Sequence, residues 1–563
     1  MDYKCFCMKK FINLKNVFFQ MRLNILVSGK GGQGVNECAS ILGSTLTSLG
    51  YYCFMYRDYE SRIEGGHIFN ILTVSDDSIQ SCDWSIDIFV AMHMHSISFH
   101  KKNVVKQGVI LTSESLKYDS YLEKQSFQPK AGNMFYAAAV LKVLGVGKEA
   151  LIDTIGKSFK PGPMVEENKK AVELGYGLPK QGNLLGKMKK TKEKLYFFQG
   201  SDGIGMGAIA SGLDVYLGYP MTPSTVLMHY LIEKQIQENI FVYYMDSEVS
   251  AINAALGASY TGAKVMTGTS GGGYDLMTEG VSFQGMAEIP LVIMLGQRAG
   301  PATGLPTFAM QADLHLALKS SHGEFPRVVV APSTSEDAIS LTNQAFYLAH
   351  KWRIVSIVLA DKNTLENKYT ITTLPKIIPV VSSLSSVAKK ALFDNYKITP
   401  SGTSPMGVPG KVLVKASSHE HDESGLTIED AASAKAMFDK RMRKIQGIEK
   451  DISKFPMVKL YGNPRGKKLV ITWGSNLGAW VDLARENKTL KIMQILYMQP
   501  FPSLIVKKEI KKASKVYVSE LNYTGQLADL IAEKTGILIS AKQRILKYDG
   551  RPFTPSEIKK RLK

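Results

Sequence analysis

Along most of the 563-residue chain, apolar residues fall in strand-length blocks separated by longer amphipathic stretches. The alternation begins after Met21. NILVSG (24–29) reads as a strand, VNECASILGSTLTSLG (35–50) as an amphipathic helix and YYCFMY (51–56) as a second strand, a βαβ start. IDIFVAM (86–92), GVILTS (108–113) and a helix over 135–144 ending at Gly145 continue the pattern. A polar, Gly/Lys-rich stretch, 178–195, marks a boundary, with the linker itself at 181–195. A second unit over 196–372 carries the strands FVYYM, AKVMTGTS, LVIML, RVVVAP and IVSIVLA, short and nearly continuous in apolar character, as parallel sheets covered on both faces require. Residues 373–465 read as irregular, with one charged helix near 431–445. A third unit, 466–563, alternates again through KLVITWGS, KIMQILYM, KVYVSELN and the helix GQLADLIAEKTG. The expected fold is multidomain α/β with a Rossmann-like first domain (21–180). Residues 1–20 are expected to be an unstructured extension.

Composition narrows the class. A hydrophobic fraction of 45% supports ordinary globular cores. No run is apolar enough to span a bilayer, and lysines interrupt the apolar part of the first twenty residues, so a cytoplasmic protein is expected. The five cysteines, Cys5, Cys7, Cys38, Cys53 and Cys82, form no CxxC pair and have no histidine at zinc-finger spacing. Any iron–sulfur or zinc centre is therefore assigned to another chain. The net charge is +19, but the lysines are scattered and aromatics are not interleaved with them. That reads as a solvated surface that could steer an acidic partner or anionic substrate, not as a nucleic-acid site.

Five stretches could carry chemistry. In NILVSGKGGQGVN, Gly29, Gly31 and Gly34 fit G-x-G-x-x-G between a strand and a helix, with Arg57 and Asp58 after the second strand. A dinucleotide or phosphate loop fits this spacing, and so does a turn needed only for strand–helix packing. YPMTPST (219–225) holds Thr222 between two prolines; a hydroxyl ligand and an ordinary helix entry both fit. Glu248 lies between a strand and an apolar helix, where a carboxylate serves the helix dipole or projects at a ligand. Arg298 in GQRAGPATGLPT (296–307) emerges at a strand's carboxyl end, suited to binding a carboxylate or simply exposed. SHEHDESG (418–425) looks like a metal cluster, but adjacent residues point in different directions, and no metal is assigned to it.

Taken in order, GKGGQGVN with ESRIEGGH, YPMTPS, DSEVSAINAALGASYTGAKVMTGTSGGG, QRAGPATGLPT, SHEHDESG and PFPSLIVKKEIKKASKVYVSELNYTGQL resemble a family almost end to end. It is the α subunit of 2-oxoacid:ferredoxin oxidoreductases with a γ domain fused at the N-terminus, and the 2-oxoglutarate type is most similar. The resemblance implies a γ domain over 21–180, a pyrimidine-binding domain over 196–372 and a C-terminal transketolase-C-like domain. It implies oxidative decarboxylation of a 2-oxoacid to acyl-CoA and CO2 with reduction of ferredoxin. The favoured substrate is 2-oxoglutarate; pyruvate and branched 2-oxoacids are the alternatives. Thiamine diphosphate is shared with a β subunit that carries Mg2+ and a 4Fe-4S cluster, and the complex is a heterodimer or a dimer of heterodimers.

By the same resemblance Glu248 faces the cofactor's pyrimidine, and Tyr219, Pro220, Ser270 and Gly271 line it. Thr222 meets a substrate oxygen and Arg298 the substrate carboxylate. Gly29, Gly31, Gly32 and Gly34 become a candidate contact for a CoA phosphate. The family often has a basic residue directly after LPT; Phe308 stands there in this chain, an apolar wall that would suit a substrate other than 2-oxoglutarate. The alternative drawn from the first glycine loop alone, an NAD(P)-dependent dehydrogenase, leaves YPMTPS, Glu248 and the C-terminal half without a role.

Overall fold

The computed structural model describes residues 8–12, 21–61, 66–119, 132–386 and 389–562. Cys5, Cys7 and residues 62–65 of ESRIEGGH lie outside them. The apolar blocks form three mixed sheets, two of seven strands and one of six, with helices packed on their faces.

The N-terminal sheet runs Val104–Thr112, Ile86–Ala91, Arg22–Lys30, His67–Ser75, Tyr52–Tyr59, Lys368–Ile371, Tyr196–Gln199. Its first strand, helix Val35–Ser48 and second strand form as the periodicity predicts. The two strands are not neighbours, however. His67–Ser75 lies between Arg22–Lys30 and Tyr52–Tyr59, antiparallel to both. This differs from the adjacent parallel pair of a dinucleotide fold: at about 4.8 Å per strand, the inserted strand sets Asp58 roughly 5 Å further from the glycine loop than a ribose-binding acid should be.

The central sheet runs Tyr497–Gln499, Arg327–Val330, Val355–Asp361, Leu291–Gln297, Val265–Ser270, Val215–Gly218, Phe241–Tyr244. All but the first are parallel. All seven residues of Leu291–Gln297 and of Val355–Asp361 are buried, which is why these strands read as unbroken apolar runs. The chain leaves Val215–Gly218 toward one edge and returns at Val265–Ser270 on its other side. That reversal opens a crevice at the carboxyl ends of these two strands, where ligands of parallel sheets bind.

The C-terminal sheet runs Met8–Ile12, Pro456–Gly462, Leu490–Ile495, Lys468–Thr472, Lys515–Glu520, Arg544–Leu546. Several expected boundaries are corrected by strand exchange. Met8–Ile12 is not part of an unstructured extension; it pairs parallel with Pro456–Gly462. That partner strand lies inside the segment expected to be irregular, whose helix also runs longer, Ala431–Ile452. Tyr196–Gln199 and Lys368–Ile371, the expected ends of the middle unit, complete the N-terminal sheet instead, where Thr370 Oγ1 exchanges hydrogen bonds with the Cys53 backbone. KIMQILYM divides between two sheets, Tyr497–Gln499 crossing to the central one. The linker is irregular yet tied down: Gly182, Leu185 and Thr191 donate backbone bonds to Lys142, Leu144 and Gly50, and Leu185 and Met188 are buried. Each sheet thus contains a strand from another unit, which fixes the units against one another.

Candidate active site

Glu248 opens the helix Glu248–Tyr260, directly after the edge strand Phe241–Tyr244. Ser247 caps that helix by accepting the Ser250 N–H, so the Glu248 side chain is not needed as a cap. It turns inward and is 4% exposed, yet its Oε1 has no hydrogen-bond partner among the described residues. An unpartnered buried carboxylate oxygen costs free energy of several kcal/mol unless a ligand satisfies it. Its neighbour is the helix Gly271–Ala287, at Gly273. A Cβ at Gly273 would overlap Thr269 Oγ1 and lie 2.5 Å from Glu248 Oε1, so glycine is what lets the carboxylate seat there.

Further unpartnered polar atoms gather at the same strand ends. Ser270, at the N-cap of the helix Gly271–Ala287, is fully buried with Oγ unbonded; so are Gln297 Nε2 and Thr307 Oγ1. Gly271 is held against the Asp313 carboxylate, whose Oδ2 would lie 2.8 Å from an added Cβ. Burial, reinforced by the Asp275 charge, pushes the Asp313 carboxyl up to about 6, while Arg298 pulls it back. Asp313 sits at the N-cap of Leu314–Lys319 but makes no side-chain cap bond.

Arg298 is half-buried, and its Nη1 donates to the Thr222 carbonyl at 2.9 Å. Glu248 and Asp313 both lie within reach of its charge. The structure therefore brings Thr222, Arg298, Glu248, Ser270 and Gly271 to one end of one sheet. Half-buried Tyr219 and exposed Pro220 lie on the loop after Val215–Gly218, across the crevice from Ser270. Ser224 does not cap the following helix; its Oγ donates to the Met221 carbonyl and tightens the turn around the cis Thr222–Pro223 bond.

Sequence reasoning missed Asp313, Gly273 and Gln297. Asp313 belongs to none of the motifs, and nothing in its spacing tied it to a loop forty residues earlier. Gly273 was visible only as one more glycine in TSGGG. Flanking Glu248 are exposed apolar side chains: Phe241, Tyr243, Tyr244, Val249 and Leu276. Contiguous exposed apolar surface of this kind marks an interaction face.

The first glycine loop differs. Lys30 N–H donates to Gln33 Oε1 at 2.8 Å, Gly31 N–H to the Gly66 carbonyl at 3.1 Å and Gln33 N–H to the Lys30 carbonyl at 3.2 Å. Gly29 is pressed against Gln33, Val35 and Met92, and Gly34, at φ 75°, against Asn133. Gly32, at φ 89°, faces open space. The residues that pointed to a nicotinamide cofactor are engaged elsewhere. Arg57 pairs with Glu366 at 3.8 Å, and Asp58 accepts from Tyr56 and pairs with Arg551 at 3.2 Å.

SHEHDESG is likewise occupied by its own fold. Glu420 clasps Arg441, and Asp422 accepts the Ser424 and Leu426 N–H groups. Glu423 accepts the Ile398 N–H, and the His421 ring packs at a tilt against Tyr396. Cys38, Cys53 and Cys82 are buried singly, and burial pushes the Cys53 thiol up to about 12 and the other two higher still. No helix among the described residues is long and apolar enough to cross a membrane.

Two families match. The one described as "Pyruvate flavodoxin/ferredoxin oxidoreductase, thiamine diP-bdg" covers residues 206–440, and "Pyruvate ferredoxin/flavodoxin oxidoreductase" covers residues 24–178. The chain is 30% identical to a Sulfolobus 2-oxoacid:ferredoxin oxidoreductase subunit alpha, over 96% of each chain. It is 31% identical to a 2-oxoglutarate synthase subunit from Archaeoglobus fulgidus, over 58% of this chain and 88% of that one. The 2-oxoglutarate:ferredoxin oxidoreductase from Magnetococcus marinus, solved with 2-oxoglutarate, coenzyme A and succinyl-CoA bound, superposes with a TM-score of 0.82 at 25% identity, covering 96% of this chain and 99% of that one. Match lengths, thiamine-binding domain and fold agree: this chain belongs to the family of 2-oxoacid:ferredoxin oxidoreductase alpha subunits.

Proposed function

We propose that this subunit supplies the pyrimidine-facing half of a thiamine diphosphate site completed by a β chain. The complex would oxidatively decarboxylate a 2-oxoacid, 2-oxoglutarate in preference to pyruvate or a branched acid, to acyl-CoA and CO2 while reducing ferredoxin. The observation that carries this reading is Glu248: a buried carboxylate with one oxygen unpartnered, seated against Gly273 at the carboxyl ends of a parallel sheet. That donor set fits an aminopyrimidine, which presents ring nitrogen and amine to a carboxylate and to hydroxyls such as Ser270. When bound, the cofactor supplies a carbanion and an electron sink.

The chain's own residues do the rest. Glu248 shares a proton with the pyrimidine ring. Tyr219, Pro220, Ser270 and Gly271 line it, Thr222 meets a substrate oxygen and Arg298 holds the substrate carboxylate. Mg2+ and a 4Fe-4S cluster belong to the β chain; the described cysteines, buried singly in a core, support that division. The apolar face around Phe241, Tyr243 and Val249 supports a β chain docked beside Glu248. The Gly29–Gly34 turn serves strand–helix packing; Gly32, which faces open space, is where it has room for a phosphate.

The test is reconstitution. The chain alone should be inactive, and with its β partner it should reduce a viologen dye only when 2-oxoacid and CoA are both present. Full activity without a partner would refute the shared site. Tight NAD binding that depends on Gly31 would restore the dehydrogenase reading.

A further inference from the structure

The loop that begins at Arg298 closes on itself. Ala299 N–H donates to the Phe308 carbonyl at 3.0 Å, and Leu305 N–H donates back to the Ala299 carbonyl at 2.8 Å. Phe308 is thus one backbone hydrogen bond from the residue after Arg298. A second arginine, from the C-terminal unit, packs on Phe308 itself. The Arg551 guanidinium lies over the Phe308 ring, 3.8 Å from its centroid. The turn that carries it is pressed onto the same residue: Gly550, at φ 78°, would place a Cβ 2.9 Å from Phe308 Cβ, and Asp549 Oδ1 accepts the Arg551 N–H at 3.0 Å.

Arg551 is oriented from a third direction by Asp58 of the N-terminal sheet. Asp58 is buried and fixed by the Tyr56 hydroxyl at 2.8 Å; it takes Arg551 Nε at 3.2 Å. One edge and one face of the guanidinium are therefore occupied. Its two terminal nitrogens have no hydrogen-bond or ion-pair partner among the described residues, and the side chain is 36% exposed. A planar fork fixed in this way is prepared to bind a carboxylate through two parallel hydrogen bonds.

We infer that Arg551, held over the Phe308 ring, is a specificity-determining residue that takes the second carboxylate of a dicarboxylic 2-oxoacid whose first carboxylate is held by Arg298. The inference rests on the 2-oxoacid reading above. It gives Phe308 a role: an apolar wall against the methylenes between the two carboxylates, with the cation that reads the distal one supplied by another domain. Arg298 has one nitrogen engaged by the Thr222 carbonyl, so a second cation is required if both ends of a diacid are to be held. The neighbouring substrate loop favours carboxylate over the other anion available, a CoA phosphate.

The experiment uses the complex with its β chain. KM is measured for 2-oxoglutarate, pyruvate and CoA in wild type, Arg551→Met and Arg551→Lys, with thermal melting to verify folding. Arg551→Met should raise KM for 2-oxoglutarate by about tenfold or more relative to pyruvate and to CoA, the loss expected for a charge-assisted pair. Arg551→Lys, which keeps the charge and loses the fork, should recover part of that loss. Equal changes for both acids would mean that Arg551 only holds the loop, and would overturn the inference. A change confined to CoA would assign the fork to phosphate and overturn it too. A wild-type complex that turns over pyruvate but not 2-oxoglutarate would overturn this inference alone. A complex that turns over no 2-oxoacid would overturn the function beneath it as well.

Discussion

Two glycine loops, GKGGQG in the N-terminal sheet and TSGGG in the central one, have the same local plan of strand, glycine turn and helix. The first matches a phosphate-loop spacing better, yet its polar groups are largely satisfied from within: Lys30, Gly31 and Gln33 N–H groups all have partners. The second matches no such spacing, yet Glu248 Oε1, Ser270 Oγ and Gln297 Nε2 around it are buried and unpartnered. Glycine spacing reports that backbone approaches something closely. Hydrogen-bond completeness reports whether that something is the protein itself. By that measure the central loop keeps polar groups that its own fold does not satisfy, and the N-terminal loop mostly faces its own strand and helix.

The sharpest way to break the comparison is to alter the unpartnered group. Glu248→Gln keeps shape and removes the shareable proton. It should lower turnover of the assembled complex by about 10²–10⁴-fold, with assembly and melting temperature little changed. Unaltered exchange of the cofactor's C2 proton would remove Glu248 from that role. Next in size is Gly273→Ala. Its Cβ would overlap Thr269 Oγ1 and crowd Glu248, so about 1–3 kcal/mol of stability should be lost together with at least tenfold in activity. Denaturant titration and steady-state assay on one preparation check both.

Much of this was legible in the chain because the periodic signals were local. The strands Val265–Ser270, Leu291–Gln297 and Val355–Asp361 are buried on both faces and announce themselves as apolar runs. Glu248, Thr222 and Arg298 each end up where a parallel sheet places the residues after its strands. What escaped was non-local. Strand exchange moved Met8–Ile12, Lys368–Ile371 and Tyr497–Gln499 into sheets their neighbours in sequence do not share. No periodicity encodes a pairing partner well over a hundred residues away. Asp313 against Gly271 and Arg551 over Phe308 escaped for the same reason.

Asp313 sharpens the comparison through pH, since the central loop keeps a carboxyl that its surroundings disfavour. Its native carboxyl is pushed up to about 6 from an ordinary 3.8. Well below pH 4 both folded and unfolded chains hold the proton, and Asp313 contributes nothing to the pH dependence. As pH rises from about 4 to 6 the unfolded chain ionises first, so stability falls, and above about 6 the penalty is constant. Two pH units correspond to an upper bound of about 3 kcal/mol. Asp313→Asn resembles the protonated form. It should melt like wild type near pH 4 and be more stable by about 1–3 kcal/mol at pH 7.5. Asp482, also pushed up to about 6, is present in both proteins and cancels. A variant no more stable than wild type at pH 7.5 would mean that Asp313 is ionised at little cost.

The smallest expected effect belongs to the N-terminal loop and closes the comparison from the other side. Gly32→Ala meets no atom within 4 Å, so its cost is backbone strain at φ 89°, on the order of 1–2 kcal/mol. A packing turn can absorb that without consequence for the chemistry. KM for CoA should change by less than about threefold and turnover with saturating CoA hardly at all, while Gly273→Ala in the other loop loses activity. A tenfold rise in KM for CoA in Gly32→Ala, at unchanged KM for the 2-oxoacid, would show that backbone N–H groups left open at Gly32 receive a phosphate. The two loops would then differ in which ligand they serve, not in whether they serve one.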